Sequence, residues 1–237
     1  MITVKCLASG SKGNSYAIDD GGTVLLLEAG IPANRITAGY GYLLERVAGC
    51  LVTHEHMDHA RGTAGLTDKG IDIYASGKTI SHLKNAVKRP YRLNTIKAEH
   101  QFELGTWIIL PWQAQHDADE PLGFLIFSTF TKEKLLFATD TYYIPNTFRG
   151  LNYIMVECNY SLDLLNKSVA EGTFPESHKA RVMESHFSID NVKGFLGHND
   201  LSGVQRIYLI HVSGRNGDKT MFKREIMKLT GLPVTVF

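Results

Sequence analysis

The sequence contains little cysteine and no pattern that would pair it. Cys6, Cys50 and Cys158 are widely spaced, their number is odd, and none of them belongs to a CxxC motif. This excludes a disulfide framework and a cysteine-based zinc finger. We therefore interpret the three thiols as small, buried, apolar side chains.

The chain also lacks an excess of charge and a long apolar run. Lys and Arg number 25 against 24 Asp and Glu, which gives a formal net charge of +1 and no overall field to attract nucleic acid. The longest uncharged stretches, Leu104 to His116 and Pro121 to Thr131, fall well short of the roughly 18 apolar residues of a membrane span. Without an export-type leader at Met1, we expect a cytoplasmic protein of bacterial or phage origin with no membrane contact.

With 237 residues, 43% of them hydrophobic, the chain can bury a full core. Short apolar runs bounded by Gly, Asp or Asn predict strands, and helical patterns lie between the later runs. The early runs come as hairpin-like pairs, with a strong turn signal at Asp19-Asp20-Gly21-Gly22. We predict an α/β protein in which two mixed β-sheets are flanked by helices, forming a single domain, 1–237.

The individual elements follow from these patterns. The predicted strands are Thr3–Ala8, Ser15–Asp19, Thr23–Leu27, Cys50–Thr53, Ile71–Ala75, Trp107–Trp112, Gly123–Ser128, Lys134–Ala138 and Ile207–Ile210. The predicted helices are Arg35–Arg46, Lys78–Val87, Leu162–Val169, Ile189–Leu196 and Lys219–Leu229.

One segment is strongly basic although the chain as a whole is neutral. Residues 73–98 contain six Lys or Arg and no Asp or Glu, so the segment is net +6. This pattern is typical of a solvated helix face with its loop, and equally of a track for phosphate groups to which Tyr91 contributes an aromatic ring.

A dense set of metal-ligand side chains directly follows the apolar run Gly49 to Val52. His54, His56, Asp58 and His59 form an HxHxDH pattern. Three imidazoles and a carboxylate this close together repel one another when protonated and lose hydration when buried, unless they share a cation. In an extended segment His54 and His56 point to the same side, whereas Asp58 and His59 can face a neighbouring position. The spacing suggests two metal ions.

Further ligands are expected where other strands end. His116 follows the run that begins at Trp107, Asp140 follows Lys134–Ala138, and His211 follows Ile207–Ile210. A single His after a strand is most often structural, but the ordered set combined with HxHxDH indicates a metal site.

This ordered set resembles the metallo-β-lactamase-fold superfamily of metal-dependent hydrolases, and the resemblance covers nearly the whole chain. It implies an αββα four-layer sandwich with two divalent metal ions at the edge of its sheets. Carried over residue by residue, it implies that the first metal is bound by His54, His56 and His116, the second by Asp58, His59 and His211, and that Asp140 bridges the two. Zn²⁺ suits five imidazoles and two carboxylates, with Mn²⁺ as the alternative.

The remaining motifs are similar to the WalJ/YycJ-type branch, which is assigned to DNA exonucleases and is related to ribonuclease Z. They are the segment Ala8 to Ser15, the triplet His186 to Ser188 and the segment His211 to Asn216. In ribonuclease Z-like enzymes a Glu and a His between the bridging Asp and the last ligand form a proton-donating pair. Glu157 and His186 occupy these places here.

Two details of the site remain open at the level of the sequence. Ser213 and Arg215 are predicted to hold a phosphate oxygen of the substrate, or else to support the loop after His211. Glu28 stands where this superfamily usually has an Asp that braces the HxHxDH loop, so its extra methylene group must be accommodated.

The resemblance implies a dinuclear-metal-dependent phosphodiesterase in which a metal-bridging hydroxide attacks phosphodiester bonds, in nucleic acid and in the manner of a DNA exonuclease. Asp140, Glu157 and His186 are the predicted catalytic residues. Two alternatives stay open: a cyclic-nucleotide phosphodiesterase that degrades a signalling nucleotide, and a non-catalytic scaffold that binds a nucleotide. A homodimer is a further expectation from the resemblance.

Overall fold

The computed structural model describes residues 1–237 and divides into two compact units. The first unit comprises Met1–Gln113 and Ala118–Glu133, and the second comprises Ala114–Asp117 and Lys134–Phe237. The strands are ordered in two mixed β-sheets with helices in the connections, which confirms the predicted α/β class. That residues 1–237 form a single domain stays a prediction.

The first unit contains a six-stranded sheet in which the strands follow one another in chain order. Its strands are β1 (Thr3–Ala8), β2 (Ser15–Asp19), β3 (Val24–Leu27), β4 (Val47–Leu51), β5 (Ile73–Ala75) and β6 (Leu93–Thr95). The pairs β1–β2 and β2–β3 are antiparallel, the connection of β2 to β3 lies at the predicted turn Asp19-Asp20-Gly21-Gly22, and the pairs from β3 to β6 are parallel. The apolar run of β3 is fully buried, as expected for a strand covered on both faces.

Helices follow the strands of this sheet, and a second ladder completes the unit. The helices are α1 (Ala33–Tyr40), α2 (Met57–Ala60), α3 (Thr63–Asp68) and α4 (Gly77–Leu83). The ladder is antiparallel and consists of β7 (Phe102–Leu104), β8 (Trp107–Gln113) and β9 (Leu122–Ser128). Ile36 and Tyr40 of α1, Leu66 of α3 and Leu83 of α4 are buried in one hydrophobic cluster with side chains of the six-stranded sheet.

The second unit contains four parallel strands with helices in the connections. The strands are β10 (Lys134–Ala138), β11 (Tyr153–Glu157), β12 (Arg206–Ile210) and β13 (Val234–Val236). The helices are α5 (Leu162–Ala170), α6 (Glu176–Ser185), α7 (Ile189–His198) and α8 (Lys219–Thr230). Ser188 caps α7 by accepting a hydrogen bond from Asn191 N, and Asp218 caps α8 in the same way. No helix in either unit is long and apolar enough to cross a bilayer.

In both units, polar residues stand at the carboxyl ends of parallel strands. Glu28 follows β3 and the HxHxDH loop follows β4 in the first unit; Glu157 ends β11 and His211 follows β12 in the second. Carboxyl ends of parallel strands are the usual place for ligand-binding groups in α/β proteins, because the connecting loops diverge there. The parallel strands therefore explain why residues far apart in sequence form local clusters.

The prediction that all three cysteines are buried is wrong for one of them. Cys50 and Cys158 are fully buried, as predicted, whereas Cys6 on the edge strand β1 is only half-buried. Each residue of β1 has a neighbouring strand on one side only, so its side chains are less completely covered.

The turn between β2 and β3 is held by a buried carboxylate. Asp20 is 3% exposed, and it accepts hydrogen bonds from the backbone N–H groups of Gly22 and Thr23 and from the hydroxyls of Thr106 and Ser128. Burial disfavours the ionised form, but the hydrogen bonds outweigh it and hold the pKa of Asp20 below its ordinary value of 3.8.

We expect Asp20→Asn to lower the free energy of unfolding by about 2–3 kcal/mol at pH 7, because a neutral amide weakens several charge-assisted hydrogen bonds. The folded pKa lies below the unfolded value, so the contribution of Asp20 is complete above the unfolded pKa and is lost as the pH falls through the folded pKa. Urea unfolding at several pH values should show the difference from wild type shrinking below pH 3.8. The exposed Asp68→Asn variant is the control, and an equal loss in both variants would contradict the role of Asp20.

Candidate metal centre

The HxHxDH loop brings three imidazoles together in the first unit. The ring centroids of His54 and His56 are 4.6 Å apart, and those of His54 and His59 are 4.2 Å apart. His59 Nε2 lies 3.4 Å from Asp58 Oδ2. His54 and His59 are fully buried, whereas His56 and Asp58 are half-buried. The local geometry therefore places all four predicted ligands of this motif in one cluster.

Glu28 and Thr53 contact ring nitrogens of two of these imidazoles. Glu28 Oε2 lies 3.4 Å from His59 Nδ1 and accepts a hydrogen bond from Thr53 N. Thr53 Oγ1 is 2.9 Å from His54 Nδ1. A polar contact at the second ring nitrogen fixes the orientation of a ligating imidazole and raises its basicity. Glu28 thus contacts the HxHxDH loop despite its extra methylene group.

Asn14 is a supporting residue that the sequence analysis did not single out. Its backbone N–H and its side-chain amide both donate to Asp58 O, and its Nδ2 lies 3.1 Å from His59 Nε2. Gly30 packs against the main chain of Asp58, and a Cβ on Gly30 would overlap that main chain. The only sequence signal was that Asn14 belongs to the segment Ala8 to Ser15, which carries the family resemblance.

The second unit holds the other predicted ligands. His116 Nε2 lies 3.6 Å from Asp140 Oδ2, and His211 Nδ1 lies 3.4 Å from Asp140 Oδ1. All three side chains are at most 3% exposed. Asp140 Oδ1 also accepts a hydrogen bond from the hydroxyl of Thr139. Asp140 therefore lies between two imidazoles, as its predicted bridging position requires.

The hydrogen bond of His116 defines its tautomer. Nδ1 lies 2.8 Å from the carbonyl oxygen of Ser185, which can only accept, so Nδ1 carries the proton. Burial lowers the pKa of His116 and outweighs the nearby Asp140 carboxylate, which acts in the opposite direction. The ring is then neutral near pH 7, and Nε2 presents a lone pair on the side of Asp140, as a metal ligand must.

Glu157 and His186 form a close pair next to Asp140. His186 Nδ1 is 2.7 Å from Glu157 Oε1 and 3.9 Å from Asp140 Oδ2. The same Glu157 oxygen lies 2.9 Å from His211 Nδ1, and Asn159 Nδ2 donates to it. Burial opposes ionisation of His186, but the Glu157 carboxylate outweighs it and raises the pKa of the imidazole. Glu157 thus orients a ligand candidate and a proton-donor candidate at once.

Three residues of these clusters adopt backbone conformations that side chains other than glycine rarely take. Glu28, Asp140 and His211 have φ angles of 66°, 45° and 53°. Left-handed conformations of this kind cost free energy, and they concentrate at functional sites where the surrounding structure enforces them. Each of the three follows a parallel strand, so the conformation turns the side chain sharply away from the strand direction.

The remaining predicted site residues lie on the loop after His211. Ser213 Oγ accepts hydrogen bonds from Arg215 N and Asn216 N, and Ser213 N donates to Asn159 O. The hydroxyl of Ser213 therefore closes the loop, while the side chain of Arg215 is exposed. Contact of either residue with a substrate phosphate stays a prediction.

His82, which the sequence gave no reason to select, belongs to an exposed polar network in the first unit. Its Nε2 lies 2.7 Å from Asp119 Oδ2, and Asp119 N donates to Glu55 Oε1. Thr79 of α4 donates its hydroxyl hydrogen to Glu55 Oε2. Because Glu55 lies between His54 and His56, this network ties α4 to the HxHxDH loop.

The donor set in the two units fits divalent metal ions. Imidazole nitrogens and carboxylate oxygens are ligands of Zn²⁺ and Mn²⁺, and the buried imidazoles have oriented second nitrogens, as ligating histidines do. Burying so many ionisable groups without a cation would be costly.

The class of protein can now be stated. The model of the β-lactamase superfamily domain matches residues 32–212, and the chain belongs to this family. A metallo-β-lactamase fold protein, YhfI from Bacillus subtilis, superposes with a TM-score of 0.72 at 14% identity, covering 100% of this chain and 97% of that one. The predicted metallo-β-lactamase fold is therefore confirmed, and with it a fold that binds divalent metal ions.

Two characterised relatives define the particular branch. The chain is 26% identical to exodeoxyribonuclease YycJ of Bacillus anthracis over 240 residues, which covers 94% of this chain and 87% of the relative. It is 29% identical to exodeoxyribonuclease WalJ of Streptococcus pneumoniae over 233 residues, covering 91% and 83%. The resemblance to the WalJ/YycJ-type branch is confirmed.

Proposed function

We propose that this chain is a dinuclear-metal-dependent phosphodiesterase that hydrolyses DNA from an end. The observation that carries the proposal is the Glu157–His186 pair, with a contact of 2.7 Å next to Asp140. An alkoxide leaves a phosphodiester poorly unless it receives a proton, and a paired, partly exposed imidazole is suited to supply one. The names of the two curated relatives support DNA as the substrate.

The predicted ligands divide between the ions as the family resemblance implies. The first ion would be held by His54, His56 and His116 and the second by Asp58, His59 and His211, with Asp140 available to both. When bound, the ions supply Lewis-acid charge and lower the pKa of coordinated water toward 7. Zn²⁺ is the proposed metal, because five of the seven donors are imidazoles.

Glu157 and His186 of the second unit would then transfer a proton to the leaving oxygen. Glu157 Oε1 accepts from Nδ1 of His186, which leaves the Nε2 proton of the imidazolium for transfer to the leaving oxygen. The raised pKa of His186 favours the protonated form of the ring. Its side chain is 21% exposed, whereas Glu157 is fully buried, so substrate reaches the imidazole and not the carboxylate.

The basic stretch supports a nucleic-acid substrate, with one correction. Arg92 is paired with Asp72 at 2.8 Å, so it contributes less to the patch than the sequence suggested. Lys84, Lys88 and Arg89 are exposed, and the ring of Tyr91 is 73% exposed. The first basic residue of the stretch, Lys78, lies in α4, which the Glu55 network ties to the HxHxDH loop. A basic surface next to an aromatic ring is suited to a single strand leading to the ligands.

The substrate class is tested by giving metal-loaded protein an end-labelled DNA duplex together with a mixture of cyclic mononucleotides, and resolving all products by chromatography. We expect progressive shortening of the labelled strand, loss of activity with EDTA, and recovery with Zn²⁺ or Mn²⁺. Linearised cyclic nucleotides with intact strands would contradict the proposal and establish the cyclic-nucleotide phosphodiesterase. Metal analysis addresses the scaffold alternative, which a content below one ion per chain after loading would favour.

A further inference from the structure

A cavity of about 310 Å³ lies in the second unit, and no predicted metal ligand is among the residues that line it. One wall is the segment 143–147, which follows Asp140, and the other is formed by Phe187 and helix α7. Its size is at the lower end of the range for small-molecule sites, about 300–1,000 Å³, which is enough for one nucleoside but not for a folded partner.

Each wall of the cavity is connected to Glu157 by hydrogen bonds. Phe187 N and Thr141 N each donate to Glu157 Oε2. The hydroxyl of Thr141 donates in turn to the carbonyl oxygen of Tyr143, at 2.8 Å. A ligand in the cavity would therefore contact segments whose backbone N–H groups and hydroxyl are hydrogen-bonded to Glu157, the partner of His186, or to one another.

The lining is suited to an uncharged aromatic ring. Phe187, Phe195 and Ile144 are buried and apolar, and the ring of Tyr143 is 56% exposed. The lining contains no Lys or Arg, and apart from Tyr143 its titratable residues are Asp190 and His198. An anion such as phosphate would be repelled by the Asp190 carboxylate and would find no Lys or Arg, whereas a base can stack on the aromatic side chains.

We propose that this cavity binds the base of a nucleotide adjacent to the phosphodiester bond that is cleaved. The inference rests on the proposed function. Many aromatic molecules could fit the cavity, and we choose a nucleobase because the wall residue Phe187 directly follows His186, the proposed proton donor. Apolar stacking gives little discrimination between bases, so the cavity would retain any terminal nucleotide and position its phosphate for the metal centre.

Helix α7 offers a matched pair of variants. Gly194 lines the cavity and Gly197 does not, and a Cβ built on either residue meets no heavy atom within 4 Å. Gly194 lies inside α7 and Gly197 in its last turn, and leucine has a higher helix propensity than glycine. Gly194→Leu therefore fills the cavity, and Gly197→Leu reports any effect of a leucine on the helix alone. Tyr143→Ala, at an exposed position, removes the stacking ring by a second route.

Binding is measured first on metal-free protein, with the fluorescent nucleoside 2-aminopurine deoxyriboside as the probe and deoxyribose 5-phosphate as a base-free competitor. We expect saturable binding that the competitor does not displace. Gly194→Leu and Tyr143→Ala should weaken it by about tenfold, in line with the loss of one stacked base. Equal binding by Gly194→Leu and Gly197→Leu, or no binding to wild type, would overturn the proposal.

Cleavage separates this inference from the proposed function. Wild type should lose about tenfold in kcat/KM on a DNA strand whose terminal nucleotide is abasic, and Gly194→Leu should cleave normal and abasic ends equally. DNA hydrolysis that is insensitive to both changes would refute the cavity assignment and leave the proposed function standing. Nucleoside binding that Gly194→Leu abolishes, without any DNA hydrolysis, would support a base-binding cavity and refute the exonuclease proposal.

Discussion

Asp140→Ala is expected to abolish turnover and to lower the metal content of the protein. Asp140 is buried between His116 and His211, and we propose that it contacts both ions. Removing a shared ligand weakens the binding of both ions. The transition state then loses charge stabilisation of several kcal/mol, which corresponds to a loss of roughly 10³-fold or more in rate. Metal content measured by plasma mass spectrometry after reconstitution, together with DNA hydrolysis, checks the prediction.

The backbone of Asp140 requires a second variant. Its φ of 45° disfavours alanine, so Asp140→Ala also strains the chain. Asp140→Asn tolerates this conformation and removes only the charge, and it should show the same loss of turnover with near-normal thermal stability. Asp163→Ala, an exposed residue of the same unit, is the control for aspartate removal. Full activity in Asp140→Asn would exclude Asp140 as a metal ligand.

The candidate metal ligands could be located from the sequence because their signals are local. The HxHxDH motif is contiguous. Each of the other ligand candidates, His116, Asp140 and His211, follows an apolar run that predicts a strand. Strand ends constrain where a side chain can lie, so the order of these residues already predicted the clusters found in each unit. The roles of the ligands toward the ions stay proposals.

The supporting residues could not be predicted in the same way. Asn14 contacts His59 across more than forty positions, and Asn159 contacts both Glu157 and His211. A single asparagine has no periodicity, and its hydrogen bonds depend on the register of strands that pair only in the folded chain. The cavity beside Phe187 was missed for the same reason, because its walls come from separate segments.

Elements were missed where the local pattern is weak or ambiguous. Strands β6, β7 and β13 have three residues each, too few to establish an alternation. The predicted helix Arg35–Arg46 is α-helical only to Tyr40 and continues as a 3₁₀ helix from Gly41, where a positive φ of 54° interrupts it. The buried strand β11 and helix α6 were also not predicted, and β4 begins three residues before the predicted strand Cys50–Thr53. The capped helix α7 was placed within two residues.

Glu28 shows how one departure from the family pattern is accommodated. Its side chain is one methylene longer than the Asp that is usual at this position. The left-handed conformation of Glu28 redirects the side chain, and its carboxylate lies 3.4 Å from His59 Nδ1. The sequence identified the position, but the backbone conformation that makes it compatible with the loop was visible only in the structure.

His186→Ala should slow DNA hydrolysis by about 10²–10⁴-fold while metal content stays normal. The imidazole is the proposed proton donor, and the leaving alkoxide departs slowly without one. A substrate with a p-nitrophenyl leaving group needs no proton, so its hydrolysis by the variant should fall far less. Rates on the two substrates, with metal content measured in the same preparations, distinguish a proton donor from a residue that only stabilises the fold.

The structure also offers a competing role for this residue. One donor atom each from Asp140, Glu157, His186 and His211 lies within 4.8 Å of the others, a spacing that a single ion could share. If His186 were a ligand, His186→Ala would lose metal and would slow both substrates equally. The contact of 2.7 Å between His186 Nδ1 and Glu157 Oε1 fits both roles, because a ligating imidazole also directs its second ring N–H at a carboxylate. Retained metal with selective loss on the alkoxide substrate would establish His186 as the proton donor.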